Sequence, residues 1–342
     1  MAAEQMQLTP QQLFEMINGY VVSGAIKAAL DLEVFTLIAN GKNTADQIAG
    51  AQKITPRAAR ILCDVLVAQG LLTKSSGRYG LAPISGAMLV KGSPGYLGAM
   101  LYGTIVNRFM WDGAGRMTEV LRAGHSLLEQ GAEARQNPFW EEFARGTREA
   151  AMIIGPMVAD VAASAFDGKS PARILDIASG SGYYGFSALK KFPNARLTSM
   201  DWANVLALTE ATVSELGLKD RVEFRPGDIF SDDLGSNYDL ILAVNIYHHF
   251  SPAKNTELSK RLGAALASGG ALLIVDQVPD EGREQDRLAL MFAMTLMLWT
   301  QEGDTFTKSE YERMLKPAGF APIELRELPA FGQKAIIAMK AG

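Results

Sequence analysis

Apolar positions change their period along the chain. From Gln12 to Leu30 they recur at helical spacing, and Ala25 to Ala39 continues with Ile26, Leu30, Val34, Leu37 and Ile38. That period predicts amphipathic helices. Thr44 opens a further helix as T-A-D-Q, a partial capping box. Thr55-Pro56 opens another, with Ala59, Leu62, Leu66 and Val67 on its apolar face. Gly70 stops that helix, and Leu71-Leu72-Thr73 and Arg78-Tyr79-Gly80-Leu81 flank a Ser-Ser-Gly turn as a two-stranded hairpin. Helical spacing returns over residues 91–166, a stretch rich in Met and aromatic side chains.

Beyond residue 167 short apolar runs alternate with helix-length segments. The runs are Ile174–Ile177, Ala195–Met200, Val222–Arg225, Tyr238–Val244 and Gly269–Val275. Crossovers of this length predict an α/β fold, with a parallel sheet covered by helices on both faces. Ile323–Leu328 and Lys334–Met339, joined through Pro329 and Gly332, predict a closing hairpin and one antiparallel strand. The chain therefore divides at 1–90, 91–166 and 167–342.

Composition excludes several partner classes. With 37 acids against 33 bases over 342 residues, the formal charge is −4, which supports neither nucleic acid nor an anionic membrane as partner. Helices followed by a hairpin invite a DNA-binding reading of residues 1–90. That segment holds seven basic and six acidic side chains, with no basic stripe, and a protein-contact module is the expectation. One cysteine, Cys63, precludes an internal disulfide and fits a reducing compartment. The N-terminus lacks a signal-peptide layout, and the longest apolar run, Leu288 to Trp299, is too short to span a bilayer. A cytoplasmic protein is expected.

The chemistry concentrates in Ile174–Gly185, read as I-L-D-I-A-S-G-S-G-Y-Y-G. A buried strand breaks there into a glycine turn, and a helix from Tyr183 to Lys191 presents free N–H groups to it. This predicts a nucleotide-like cofactor. Gly180-x-Gly182-x-x-Gly185 also satisfies the dinucleotide fingerprint. Three neighbours favour another ligand. Asp176 stands four residues before Gly180, where a pyrophosphate would meet a charge, and Asp201 ends the second strand 25 residues later, suited to two ribose hydroxyls. Gly227-Asp228-Ile229 offers an acid to an exocyclic amine beside apolar groups. Acids ending successive strands, with no base in the turn, favour a cationic cofactor without phosphates.

These residues resemble the S-adenosylmethionine-dependent methyltransferases: L-D-x-(small)-x-G-x-G, then D, G-D-x-F, Y-D-L-I and G-G-x-L-L-I. More narrowly, the chain is similar to the small-molecule O-methyltransferases of the plant phenolic and bacterial antibiotic type, built on an N-terminal winged-helix dimerisation domain. Ala178 stands where that family usually has Gly. The resemblance implies a class I methyltransferase Rossmann-like sheet, a homodimer through residues 1–90, and S-adenosyl-L-methionine as cofactor with S-adenosyl-L-homocysteine as product. Its cofactor residues would be Asp176, Ala178, Gly180, Gly182, Asp201, Trp202, Gly227, Asp228, Ile229 and Asn245.

Methyl transfer to a hydroxyl benefits from a base of pKa near ~6.5, the ordinary range of His. Two of the three histidines are adjacent, in Asn245-Ile-Tyr-His248-His249-Phe250 after the fourth strand. The resemblance assigns His248 as the base and Asp276, shortened from Glu, as its partner. His249 falls where the family often has Asp, and Phe250 where a Trp is common. Thr305 falls at a second acid, with Asp304 one residue away. Phe109, Trp140, Phe143, Met152, His249, Met294 and Met297 are expected to line the acceptor pocket, for an aromatic or polyketide-like small molecule. No second cluster of acids accompanies the His pair, so no metal is expected. Transfer to carbon, sulfur or nitrogen without a His base stays open. A regulator with a non-catalytic cofactor domain and an NAD-dependent oxidoreductase are rivals from other classes.

Overall fold

The computed structural model describes residues 8–101, 108–128, 137, 139–166, 168–328 and 332–341. It divides into two compact units, Met1–Ala99 and Met100–Gly342.

The first unit holds helices Pro10–Ile17, Gly19–Asp31, Val34–Ala39, Ala45–Gln52 and Pro56–Ala68, then strands β1 (Leu72–Ser75) and β2 (Arg78–Leu81) paired antiparallel. Thr44 and Thr55 cap their helices as expected, accepting from the Gln47 and Ala58 backbone N–H groups. The periodic stretch from Gln12 to Ala39 breaks twice, at Asn18 and at Glu33, the latter in the left-handed region at φ 45°. Apolar spacing continues across both breaks, so the period conceals them. Ala29, Val34, Phe35, Ile48, Ala59, Cys63 and Leu66 form the core of this unit. Burial pushes the Cys63 thiol up to about 11, which leaves it an inert small hydrophobe.

The second unit is built on strands β3 (Arg173–Ile177), β4 (Arg196–Asp201), β5 (Val222–Pro226), β6 (Tyr238–Val244), β7 (Leu266–Asp276), β8 (Phe320–Glu327) and β9 (Lys334–Lys340). Their order is β5-β4-β3-β6-β7-β9-β8. β3 to β7 run parallel, and β9 is antiparallel to both β7 and β8, the expected closing hairpin. β7 begins at Leu266 rather than Gly269, pairing Leu266 with Tyr238 across a register shift.

Side chains alternate between two cores. On one face Leu175, Ile177, Ile241 and Ile274 pack with Leu258 and Leu262 of helix Pro252–Ala265 and with Tyr311 and Met314 of helix Lys308–Leu315. On the other, Ile174, Leu197, Leu242 and Leu273 pack with Ile154 and Val158 of the long helix Phe139–Ser164 and with Phe186 and Leu189 of helix Tyr183–Lys191. Because β4 and β6 flank β3, winding reverses there, and a crevice opens beyond the carboxyl ends of these strands.

Candidate active site

That crevice is a cavity of about 490 Å³, and the strand ends supply its polar wall: Asp176 from β3, Asp201 from β4, Gly227 and Asp228 after β5, and Asn245 after β6. Between β3 and helix Tyr183–Lys191 the backbone stays left-handed at Ala178 (φ 49°), Gly180 (φ 54°) and Gly182 (φ 78°). This winding aims the Gly180 N–H at Asp201 Oδ2, 2.8 Å away. Thr209 Oγ1 donates to the Gly180 carbonyl at 2.8 Å and holds the turn from below. Gly185 serves close approach. Its N–H donates to Asp176 Oδ2 at 3.1 Å, and a Cβ there would lie 2.8 Å from that same oxygen.

Two acids on this wall carry unusual electrostatics. Burial pushes the Asp176 carboxyl up to about 8, against the Gly185 N–H, which lowers it, and with the Asp201 charge adding to the rise. Burial likewise pushes Asp201 up to about 6, opposed by the Gly180 and Trp202 N–H groups. No Lys or Arg is among the groups acting on either. Where they are ionised, two carboxyls with no cation of the protein acting on them favour a positively charged ligand over a pyrophosphate. A sulfonium with an α-ammonium group suits this wall, and S-adenosylmethionine carries both.

The cavity continues between aromatic rings. Trp140, Phe143 and Thr147 line it from helix Phe139–Ser164, opposite Phe230, His249 and Phe250. His248 and His249 sit in a tight turn, Tyr247–His249, after β6. Their rings lie 4.5 Å apart but serve different neighbours. His249 forms part of the cavity wall and meets Trp140 and Trp299 edge-on at 5.3 and 5.1 Å. Burial, and then the neighbouring His248, hold its pKa well below the ordinary histidine value, so it stays neutral; its Nδ1 is buried without a hydrogen-bond partner. His248 is not on the cavity wall. Its Nδ1 lies 2.5 Å from Asp276 Oδ1, and Phe292 meets its ring edge-on at 4.9 Å. A carboxylate can only accept, so the proton between them is carried on Nδ1, which leaves Nε2 as the ring nitrogen that can exchange a proton.

Of the residues expected at the cofactor, Asp176, Ala178, Gly180, Asp201, Trp202, Gly227, Asp228, Ile229 and Asn245 all border the cavity. Gly182 does not: it caps the helix beneath the turn, where a Cβ would come within 2.5 Å of Thr209 Cγ2. On the acceptor side Trp140, Phe143 and His249 border it, whereas Met152, Met294 and Met297 do not. Met152 and Met294 occupy exposed helix faces, and Met297 packs against the Trp299 cluster. The side chain of Phe109 lies outside the described residues. Asp304 does not reach His248 with its carboxylate, which turns outward to Arg283 and its own neighbour's N–H; Thr305 is buried with its hydroxyl unpartnered. Sequence reasoning missed Tyr184 on the cavity wall and carried Phe230 only as the end of the G-D-x-F motif, not as a site residue. It also passed over Tyr311, whose hydroxyl reaches Asp276 Oδ2 at 3.1 Å. Their aromatic character is equally that of core residues, and nothing in the pattern separates the two.

Comparison with known proteins agrees with this architecture. The family model described as O-methyltransferase domain matches residues 121–321, and the O-methyltransferase dimerisation domain matches residues 14–91. The tetracenomycin polyketide synthesis 8-O-methyl transferase of Streptomyces glaucescens is 27% identical, over 92% of each chain. A solved structure of a candidate O-methyltransferase from Nostoc punctiforme superposes with a TM-score of 0.91 at 30% identity, covering 98% of this chain and 100% of that one. Human N-acetylserotonin methyltransferase in complex with S-adenosylmethionine shares the fold at a TM-score of 0.85 and 22% identity, over 99% and 100% of the two chains. With the catalytic family model spanning more than half of its residues, the chain belongs to the S-adenosylmethionine-dependent O-methyltransferases that carry a dimerisation domain.

Proposed function

We propose that this enzyme methylates a hydroxyl of an apolar, aromatic small molecule, with His248 as general base and Asp276 as its partner. The observation that carries the reading is the 2.5 Å contact between His248 Nδ1 and Asp276 Oδ1 at the carboxyl ends of β6 and β7, beside the aromatic end of the cavity. S-adenosylmethionine supplies an electrophilic methyl group carried on a sulfonium. Asp201 would accept from its ribose hydroxyls and Asp228 from its adenine amine, and Asp176 would offer an acid to its cationic end. Trp140, Phe143 and His249 hold the acceptor flat against the ring cluster. His248 Nε2 takes the hydroxyl proton, and Asp276 stabilises the resulting imidazolium. Residues 1–90 pair two chains, residues 91–166 supply the acceptor wall, and residues 167–342 bind the cofactor. The buried, unreactive Cys63 suits a reducing cytoplasm.

His248→Ala should lose about 10²–10⁴-fold in turnover while keeping S-adenosylhomocysteine affinity, since general-base assistance contributes that much. His249→Ala should chiefly raise KM for the acceptor. Steady-state kinetics on the acceptor, found by screening hydroxylated aromatics, decides between them. One observation favours a second reading: His249, not His248, forms the cavity wall. Near-wild-type turnover in His248→Ala would therefore discard the base and leave transfer to carbon, sulfur or nitrogen.

A further inference from the structure

Asp276 ends β7 fully buried, and four hydrogen bonds reach its carboxylate. Oδ1 accepts from His248 Nδ1 at 2.5 Å and from the Gln277 backbone N–H at 2.9 Å. Oδ2 accepts from the His248 backbone N–H at 3.2 Å and from the Tyr311 hydroxyl at 3.1 Å. Two of these donors are backbone groups that any sequence would supply. Beyond His248 itself, Tyr311 is the one side chain bonded to the acid among the described residues. It comes from helix Lys308–Leu315 and is clamped by the rings of Tyr247 and Phe306, at 5.9 and 6.0 Å.

We propose that Tyr311 is a positioning residue for the catalytic base, fixing the Asp276 carboxylate in the orientation that holds the His248 Nδ1–H and drawing off part of its charge. Burial, and then the Asp276 charge, hold the phenol well above its ordinary value, so it stays protonated and acts only as a donor. Phe at this position would fill the same space, and only the hydroxyl touches the acid. His249, whose ring lies 4.5 Å from that of His248, is held neutral by burial, and the remaining ionisable groups around the pair are occupied elsewhere. Tyr247 bonds Ser259, Glu310 pairs with Arg283, and Lys334, opposite Asp276 in β9, reaches Asp286. Thr305 sends no hydrogen bond into the pair and Asp304 points outward, so Tyr311 takes the second place beside the base.

This inference rests on His248 acting as the base, and its test needs no methyl acceptor. In full-length, ¹⁵N-histidine-labelled enzyme saturated with S-adenosylhomocysteine, the His248 Nδ1–H proton and the His248 titration midpoint are followed by NMR, with His248→Ala for assignment. A carboxylate relieved of the Tyr311 donor attracts the imidazolium more strongly. Tyr311→Phe should therefore shift the Nδ1–H resonance and raise the midpoint. Once an acceptor is in hand, kcat should fall on the order of tenfold with unchanged KM, as expected for losing one hydrogen bond to a charged group. Site-specific 3-fluorotyrosine, a stronger donor of nearly the same shape, should lower the midpoint, a check that stands even if the Phe variant folds poorly. An unmoved resonance and midpoint in a folded Tyr311→Phe protein, or no shift with 3-fluorotyrosine, would overturn the proposal whatever His248→Ala does to turnover.

Discussion

Ala178 holds a left-handed backbone at φ 49° on the wall of the cofactor cavity, a conformation that costs an L-residue about 1–2 kcal/mol. Glycine there would remove the strain but add freedom to the unfolded chain, worth about 0.4–1 kcal/mol in the other direction. Ala178→Gly should accordingly raise the unfolding free energy by roughly 0.5–1 kcal/mol, and Ala178→Val should lower it. Urea denaturation decides, and a destabilised Gly variant would show that the Ala methyl packs usefully. The residue pattern announced an unusual small side chain at this site but not its strain, which depends on φ. The histidine pair shows a similar boundary. His-His after β6 was legible as chemistry, yet adjacent residues in a tight turn point in widely different directions. The resemblance assigns Asp276 to His248 and the acceptor pocket to His249, and the fold adds that His248 itself stands off the cavity wall, 2.5 Å from Asp276. The Met residues expected as pocket wall mislead for the opposite reason. At helical spacing the same stripe suits an outward face, where Met152 and Met294 lie.

At the scale of elements, the parallel strands declared themselves because they are short apolar runs, and all but Tyr238–Val244 end in an acid or a glycine turn. Helix breaks at Asn18 and Glu33 did not, since the apolar period carries through them. The strand ends also dictate how the cofactor site responds to pH. Asp176 and Asp201, pushed up to about 8 and about 6, are protonated below those values and ionised above them. A cationic ligand prefers the ionised form, so S-adenosylmethionine affinity should rise on the order of tenfold between about pH 5 and pH 8. Stability of the ligand-free protein runs the other way. Both carboxyls have folded-state values above their unfolded one, so the folded chain binds more protons in that window. Their contribution to stability therefore falls as pH rises from about 4 to about 8. Calorimetric titration of the cofactor across pH tests the first part. Asp201→Asn should flatten the lower portion of the curve, and a pH-independent affinity would sink the argument.

At the scale of the whole molecule, helix Pro10–Ile17 has no buried residue within the single chain. A helix of eight residues is marginal in water unless tertiary contacts hold it. Yet Phe14 and Ile17, three residues apart on this helix, are 67% and 61% exposed, and Tyr20 at the start of the next helix is 70% exposed. Scattered apolar side chains need no explanation, but a stripe on a helix without a core of its own marks an interface. This stripe falls within the residues that match the dimerisation domain, and we expect a second copy of the chain to cover it. An obligate interface of this kind buries on the order of 2,000 Å² or more. Light scattering at micromolar concentration should give about twice the chain mass of 36.9 kDa. Phe14→Glu combined with Ile17→Glu places two charges in the stripe. Each resists desolvation by several kcal/mol unless it is paired, so the double variant should run at the single-chain mass and lose helicity near its N-terminus. Cofactor affinity should be retained, because every residue assigned to the nucleoside comes from the second unit. A wild-type particle of 36.9 kDa, or a double variant still at twice that mass, would remove this stripe as the dimer contact.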